Sequence, residues 1–270
     1  MLYVATVHYR SPRWVEIQTR YLRRHISVPY QTWTSLEHID PTYSEYFDRV
    51  LAQHGSHAGK LNHLAMEISE QASDSDLLMF LDGDAFPIAD PIPLITDRLA
   101  KAPLLAVRRA ENFNEPQPHP CFCVTTVGTW RRLPGDWTSG YTWPGPRGRL
   151  GGDVGGNLLR KLELTKTPWT DVLRSNRTNL DPLYYAIYGD VVYHHGAGFR
   201  TGELSLVDRD GAPQPRWRSH SRALRPFIRV ADRRRWRSWE RKTEEHHARQ
   251  SERIFARIQR DDPDWLSDFL

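Results

Sequence analysis

Two carboxylates separated by one residue, Asp82-Gly83-Asp84, come directly after an apolar run, Leu77-Leu78-Met79-Phe80-Leu81. Carboxylates this close repel, and each raises the other's pKa, unless a cation lies between them. An oxygen-only pair suits Mg2+ or Mn2+, ions that hold phosphates through one or two carboxylates. Asp-Gly is also a common hairpin turn. The apolar run before the pair and Phe86-Pro87 after it favour a ligand site. Lys60 follows Gly59 at the start of a helical stretch, where a helix N-terminus and an ammonium together suit a phosphate. His57 and His63 are not spaced i, i+4 and no cysteine is near, so His54, His57 and His63 read as surface or hydrogen-bonding residues. Asp153 lies between Gly151-Gly152 and Gly155-Gly156. Its plain role is a helix N-cap, but flanking glycines also let a ligand come close to the backbone.

These groups need elements to hold them. Leu2–Val7 reads as a buried strand and Trp14–Arg24 as a helix, with Pro29–Ser35 a second strand. Leu61, Leu64, Ala65 and Ile68 make one helical stripe within Gly59–Gln71. The run Asp76–Leu81 does not alternate, as expected of a strand covered on both faces by helices. Pro91–Leu99, Leu104–Arg108 and Phe122–Val127 continue the helix and strand alternation, and residues 134–152 form a long loop rich in Gly, Pro and Trp. A helix over Asp153–Leu164 and a last strand at Asp190–Tyr193 follow, and a long basic helix is expected from about Arg237 to Arg260. In an open α/β sheet, ligands bind beyond the carboxyl ends of the strands, and Asp82 and Asp84 stand at such an end.

The segment Met79-Phe80-Leu81-Asp82-Gly83-Asp84-Ala85 resembles the Asp-x-Asp motif of GT-A glycosyltransferases. The resemblance covers residues 1 to about 205. It implies an α/β fold with a Rossmann-like, mostly parallel sheet flanked by helices, here followed by a C-terminal basic helical extension. It further implies a nucleotide-sugar donor whose diphosphate is held by Mn2+ or Mg2+, and an acceptor that offers a glycan, lipid, small-molecule or protein hydroxyl. By carry-over, Asp84 ligates the metal directly, and Asp82, with Gly83 beside it, meets the ribose or the metal. Such enzymes often take a third ligand, commonly His, from a late loop, and here His194-His195-Gly196-Ala197-Gly198-Phe199-Arg200 is that loop. Neighbours on a strand point to opposite faces, so one of the two histidines ligates, with His195 slightly favoured. Arg200 would grip the diphosphate. Thr6, His8 and Arg10 stand where such enzymes hold base and ribose, a transfer by position alone. If the enzyme inverts, Asp153 would take the acceptor proton. Trp137, Tyr141 and Trp143 either face a sugar or form the loop's own core.

A chain of 270 residues can bury a sizeable core, and 39% hydrophobic with 26% charged residues describes a globule. No stretch approaches the roughly 20 apolar residues of a membrane span. The first ten residues lack a signal-peptide pattern, and Cys121 and Cys123, two apart on one strand face, are too distant to bridge. Both features favour a cytoplasmic setting. Charge is uneven. Residues 213–242 hold ten Arg and one Lys against Asp232 and Glu240, a net +9, while the whole chain is +4. We therefore expect a catalytic domain over 1–205 and, over 206–270, an arm and helix packed on the acidic body, on a second copy, or against a membrane surface. The thin stripe Trp236, Trp239, Thr243, His247, Gln250, Ile254 and Ile258 needs such a partner. Two rivals share some features. A haloacid-dehalogenase-like phosphatase also carries Asp-x-Asp, but near the chain start and with Thr or Val where Phe86 stands. Nucleic-acid binding through the interleaved Arg and Trp is not expected, since such charge runs are more often solvated faces.

Overall fold

The computed structural model describes residues 1–144, 150–196, 204–217 and 223–270. Its first strand, β1 (Leu2–Tyr9), is buried on both faces. Leu2 and Val4 enter one core cluster, Ala5 and Val7 the other. The helix α1 (Val15–His25), β2 (Tyr30–Glu37), the short β3 (Arg49–Val50), α2 (His57–Gln71) and β4 (Leu77–Asp82) follow. Ser56 caps α2 by accepting from the Gly59 amide at 3.1 Å. The expected stripe of Leu61, Leu64, Ala65 and Ile68 is fully buried, packed with Ala5, Val7, Leu78 and Phe80. Each large aliphatic side chain so buried contributes ~2 kcal/mol, which fixes α2 on this face of the sheet. Leu78 through Leu81 are buried as well, as the unalternating run required.

Next come β5 (Ala85–Pro87), α3 (Ile92–Leu99), β6 (Leu104–Val107), β7 (His119–Thr126) and α4 (Val127–Arg132). After them lie the two-residue strands β8 (Trp143–Pro144) and β9 (Leu150–Gly151), α5 (Gly156–Leu164), β10 (Thr170–Val172), β11 (Ala186–Tyr188) and β12 (Val192–His194). The main sheet has the order β10-β6-β7-β4-β1-β2-β3. All its strands run the same way except β7, which is antiparallel to β4 and β6. A second sheet, β11-β12-β5, is antiparallel. The chain divides into two compact units, Met1–Phe199 with Leu266–Leu270, and Arg200–Trp265. The second unit holds α6 (Leu206–Gly211), which opens with a reciprocal capping box between Ser205 and Asp208. It also holds the long α7 (Arg225–Gln259).

Several boundaries differ from the sequence reading, each for a local reason. α5 starts at Gly156, not Asp153, because Gly155 takes φ +90°, where a Cβ would lie 2.1 Å from the Pro118 carbonyl oxygen. Asp153 is therefore not its N-cap. α7 begins at Arg225 with a proline in its first turn, well before the apolar stripe, since arginine is itself a good helix former. Cys121 and Cys123 enter different core clusters because β7 is irregular between the partners of Ala106 and Val107. Trp137 is fully buried, with its ring 4.9 Å from Phe80 and 5.8 Å from Trp130, so it belongs to the core.

Candidate metal centre

The turn after β4 is held in place before any ligand is considered. Gln18 on α1 donates from Nε2 to the carbonyl oxygens of Asp82 and Ala85, both at 2.8 Å. Carbonyls only accept, so the amide orientation is settled and Oε1 is the acceptor for Thr6 Oγ1 at 3.1 Å and His8 Nε2 at 3.0 Å. Thr6, His8 and Gln18 are all buried. Burial, only partly offset by the Gln18 hydrogen bond and by Asp84, pushes the His8 imidazole down to about 4, so it is neutral with its proton on Nε2. A Cβ on Gly83 would lie 2.5 Å from the Val7 carbonyl oxygen and 2.8 Å from His8 Nδ1. Only glycine lets the turn lie this close to β1.

The strand register then brings in a group from far along the chain. β12 pairs with β5 so that His194 stands opposite Ala85. The His195 amide donates to the Asp84 carbonyl oxygen at 3.0 Å. His194 Nε2 lies 3.6 Å from Asp82 Oδ2 and 3.5 Å from Asp84 Oδ1. Asp82, Asp84 and His194 each offer a ligand atom within 4.8 Å of the others. The ring that joins the carboxylates is therefore His194. His195 turns the other way, where its Nδ1 meets the Tyr193 hydroxyl at 2.9 Å and its ring packs 4.5 Å from Trp14.

The electrostatics of the centre favour a cation. Burial raises the Asp84 carboxyl, but the adjacent His194 ring more than reverses this and holds it down to about 2. Burial disfavours a charged His194, yet the Cys121 sulfur and the Asp84 carboxylate outweigh it and hold the ring well above the ordinary histidine value. Burial also keeps Cys121 a thiol, so the Asp84 carboxylate is what draws positive charge to this ring, a place that a metal ion would take from the proton. Asp84 Oδ2 is buried with no hydrogen-bond partner among the described residues. An orphaned carboxylate oxygen beside a second carboxylate and an imidazole is a donor set that fits Mn2+ or Mg2+.

Three residues that the sequence did not assign to this site complete the surroundings. His57, the first residue of α2, places Nε2 3.0 Å from Asp82 Oδ1. The buried His119 ring lies 5.9 Å from His194, and its Nδ1 accepts from the Cys121 amide at 3.1 Å. Cys121 stands beside His194, and its sulfur favours the charged form of that ring. For His57 there was a usable signal: a helix that follows a strand of a parallel sheet starts at the carboxyl end, beside the next strand's terminus.

Of the other expected site residues, Lys60, Arg10 and Asp153 are engaged with groups outside the triad. Lys60 is buried, and its Nζ donates to Glu37 at the end of β2 while lying 4.6 Å over the Tyr9 ring. That hydrogen bond holds the Glu37 carboxyl below the usual range. Arg10 is exposed at the end of β1, with φ +59° and its guanidinium 4.9 Å over Tyr9. Asp153 accepts from Arg109 at 2.8 Å through Oδ2 and from the Val154 amide at 2.8 Å through Oδ1. Arg109 is buried and also donates to Glu115 through Nε and Nη2 at 2.9 and 2.7 Å. Arg200 lies outside the described residues.

The fold is α/β. It has the expected mostly parallel sheet flanked by helices, with the paired aspartates at the carboxyl end of a central strand. No family model matches the chain, and no curated protein matches it. Parts of three solved structures are similar to it. The mannosyltransferase PcManGT of Pyrobaculum calidifontis, in complex with GDP-Man and Mn2+, is 12% identical with a TM-score of 0.39, covering 51% of this chain and 47% of that one. TarS of S. aureus is 11% identical with a TM-score of 0.37, over 51% of this chain and 30% of that one. The galactosyltransferase LgtC, in complex with donor and acceptor sugar analogs, is 10% identical with a TM-score of 0.34, over 48% of this chain and 59% of that one. The chain thus spans less than two thirds of each of these structures.

Proposed function

We propose that this chain is a metal-dependent glycosyltransferase that moves a sugar from a nucleoside-diphosphate sugar to an acceptor hydroxyl. The observation that carries the reading is the meeting of Asp82, Asp84 and His194 from distant parts of the chain, with one buried Asp84 oxygen left unpartnered. Asp82, Asp84 and His194 would hold Mn2+ or Mg2+, which when bound supplies positive charge to a diphosphate leaving group. The chain's own residues do the rest. Gln18, with Thr6 and His8 behind it, holds the Asp82–Ala85 turn. His57 steadies Asp82 through Oδ1, while His194 faces Oδ2. In transfer, the bond from the anomeric carbon to the phosphate oxygen breaks and a bond to the acceptor oxygen forms. The acceptor proton must go to a base, and in an inverting reaction Asp153 is the carboxylate we assign to that role.

Thermal-shift measurements with Mn2+ and a panel of nucleoside-diphosphate sugars test this. A donor that binds the folded protein stabilises it by ~2.7 kcal/mol at a hundred times its Kd, and so raises the melting temperature in a concentration-dependent way. Asp84→Asn should abolish the metal-dependent part of that shift while the far-ultraviolet dichroism stays that of the parent chain. Absence of any shift across the panel, together with hydrolysis of a phosphomonoester, would instead favour the phosphatase reading.

A further inference from the structure

The first turns of α7 combine two features that rarely stay together in water. Leu224, Phe227 and Val230, spaced i, i+3, i+6, are 52%, 75% and 51% exposed. The stretch 224–239 also carries Arg225, Arg229, Arg233, Arg234, Arg235 and Arg237 against the single acid Asp232. That acid is already engaged: Asp232 Oδ2 accepts from the Arg216 and Trp217 amides at 2.7 and 3.0 Å. The rest of the helix is close to neutral, with Glu240, Glu244, Glu245 and Glu252 against Arg241, Lys242, Arg249, Arg253 and Arg257. Trp236 is 37% exposed, and its ring lies 5.4 Å from Trp239.

We propose that the N-terminal half of α7 docks on an anionic membrane surface, with Leu224, Phe227 and Val230 entering the headgroup boundary and the arginines meeting anionic headgroups. A large aromatic and two aliphatic side chains held in water amid arginines are what a helix lying in the interface plane presents. No helix among the described residues is long and apolar enough to cross a membrane, so the contact lies on the surface. A nucleic acid would use the arginines but gives Leu224 and Val230 nothing to bury against. A purely apolar protein partner would leave the arginines unneutralised.

The test is sedimentation of the full chain with vesicles of phosphatidylcholine alone or with a minor fraction of phosphatidylglycerol. The chain should pellet only with the anionic vesicles and be released as salt rises. Each arginine near the surface is worth about fivefold in partitioning, so Arg233→Gln/Arg234→Gln/Arg235→Gln should bind about a hundredfold more weakly. Phe227→Glu/Val230→Glu should weaken binding at least about tenfold with the far-ultraviolet dichroism unchanged, since both side chains are exposed. Equal binding to neutral vesicles, or anionic binding that Phe227→Glu/Val230→Glu leaves intact, would overturn the proposal. So would tighter binding to a short single-stranded RNA, or a dimer that the Phe227→Glu/Val230→Glu variant dissociates.

Discussion

Gln18 is the most demanding test of how the site is built. Replacing it with Leu keeps the volume and removes four hydrogen bonds at once, those to Thr6, His8 and the carbonyls of Asp82 and Ala85. Each buried group left unpaired costs at least ~1 kcal/mol, so the loss should be ~4 kcal/mol. That is a large share of the ~5–15 kcal/mol that keeps a domain folded. At ~2–4 °C per kcal/mol it predicts a melting point lower by ~8–16 °C. Two of the four orphaned groups are the carbonyls that bracket Asp82-Gly83-Asp84, so Mn2+ binding should weaken along with stability. Calorimetric melts with and without Mn2+ read both effects. Gln18→Glu separates them, because it keeps an acceptor for Thr6 and His8 but turns a carboxylate oxygen toward the two carbonyls. A Gln18→Leu melt within ~2 °C of the parent would refute the ledger. A lowered melt with unchanged Mn2+ affinity would make Gln18 a core residue with no hold on the turn.

Two further outcomes are expected. Burial raises the Asp136 carboxyl, but hydrogen bonds from Thr138, Asn62 and Asn157 outweigh it and hold it below its ordinary value. Its contribution is therefore complete above the unfolded carboxylate value of ~3.9 and is lost as pH falls below it. Asp136→Asn should cost ~1–2 kcal/mol at neutral pH and less in acid, as read by denaturant melts across pH. Asp153→Asn should lower sugar transfer about a hundredfold or more with donor affinity unchanged, while stability falls by less than ~1 kcal/mol because its side chain is 43% exposed. Near-normal turnover in steady-state assays would leave Asp153 as no more than the exposed partner of Arg109.

What the sequence determined by itself was local or periodic. The unalternating run before Asp82 could only be a strand covered on both faces, and it is. The stripe Leu61, Leu64, Ala65 and Ile68 could only be one buried helix face, and it is. The paired aspartates were legible because their repulsion is written in adjacent positions. Tertiary structure alone decided the rest, for three physical reasons. Strand register chose His194 over His195: β12 pairs with β5 so that His194 falls opposite Ala85, and a slip of one residue would have exchanged the two rings. Packing of elements decided which polar groups meet, with Lys60 on Glu37, Arg109 on Glu115 and Asp153, and His57 on Asp82. The sequence shows which groups are charged, but not which of them meet. Local irregularity moved Cys121 away from the face of Cys123 and started α5 only after Asp153, because a bulge and a left-handed glycine leave no periodic trace. The Gln18 hydrogen bonds belong to the same class, since they join β1, α1 and the turn after β4 through side-chain geometry that exists only once those elements are stacked.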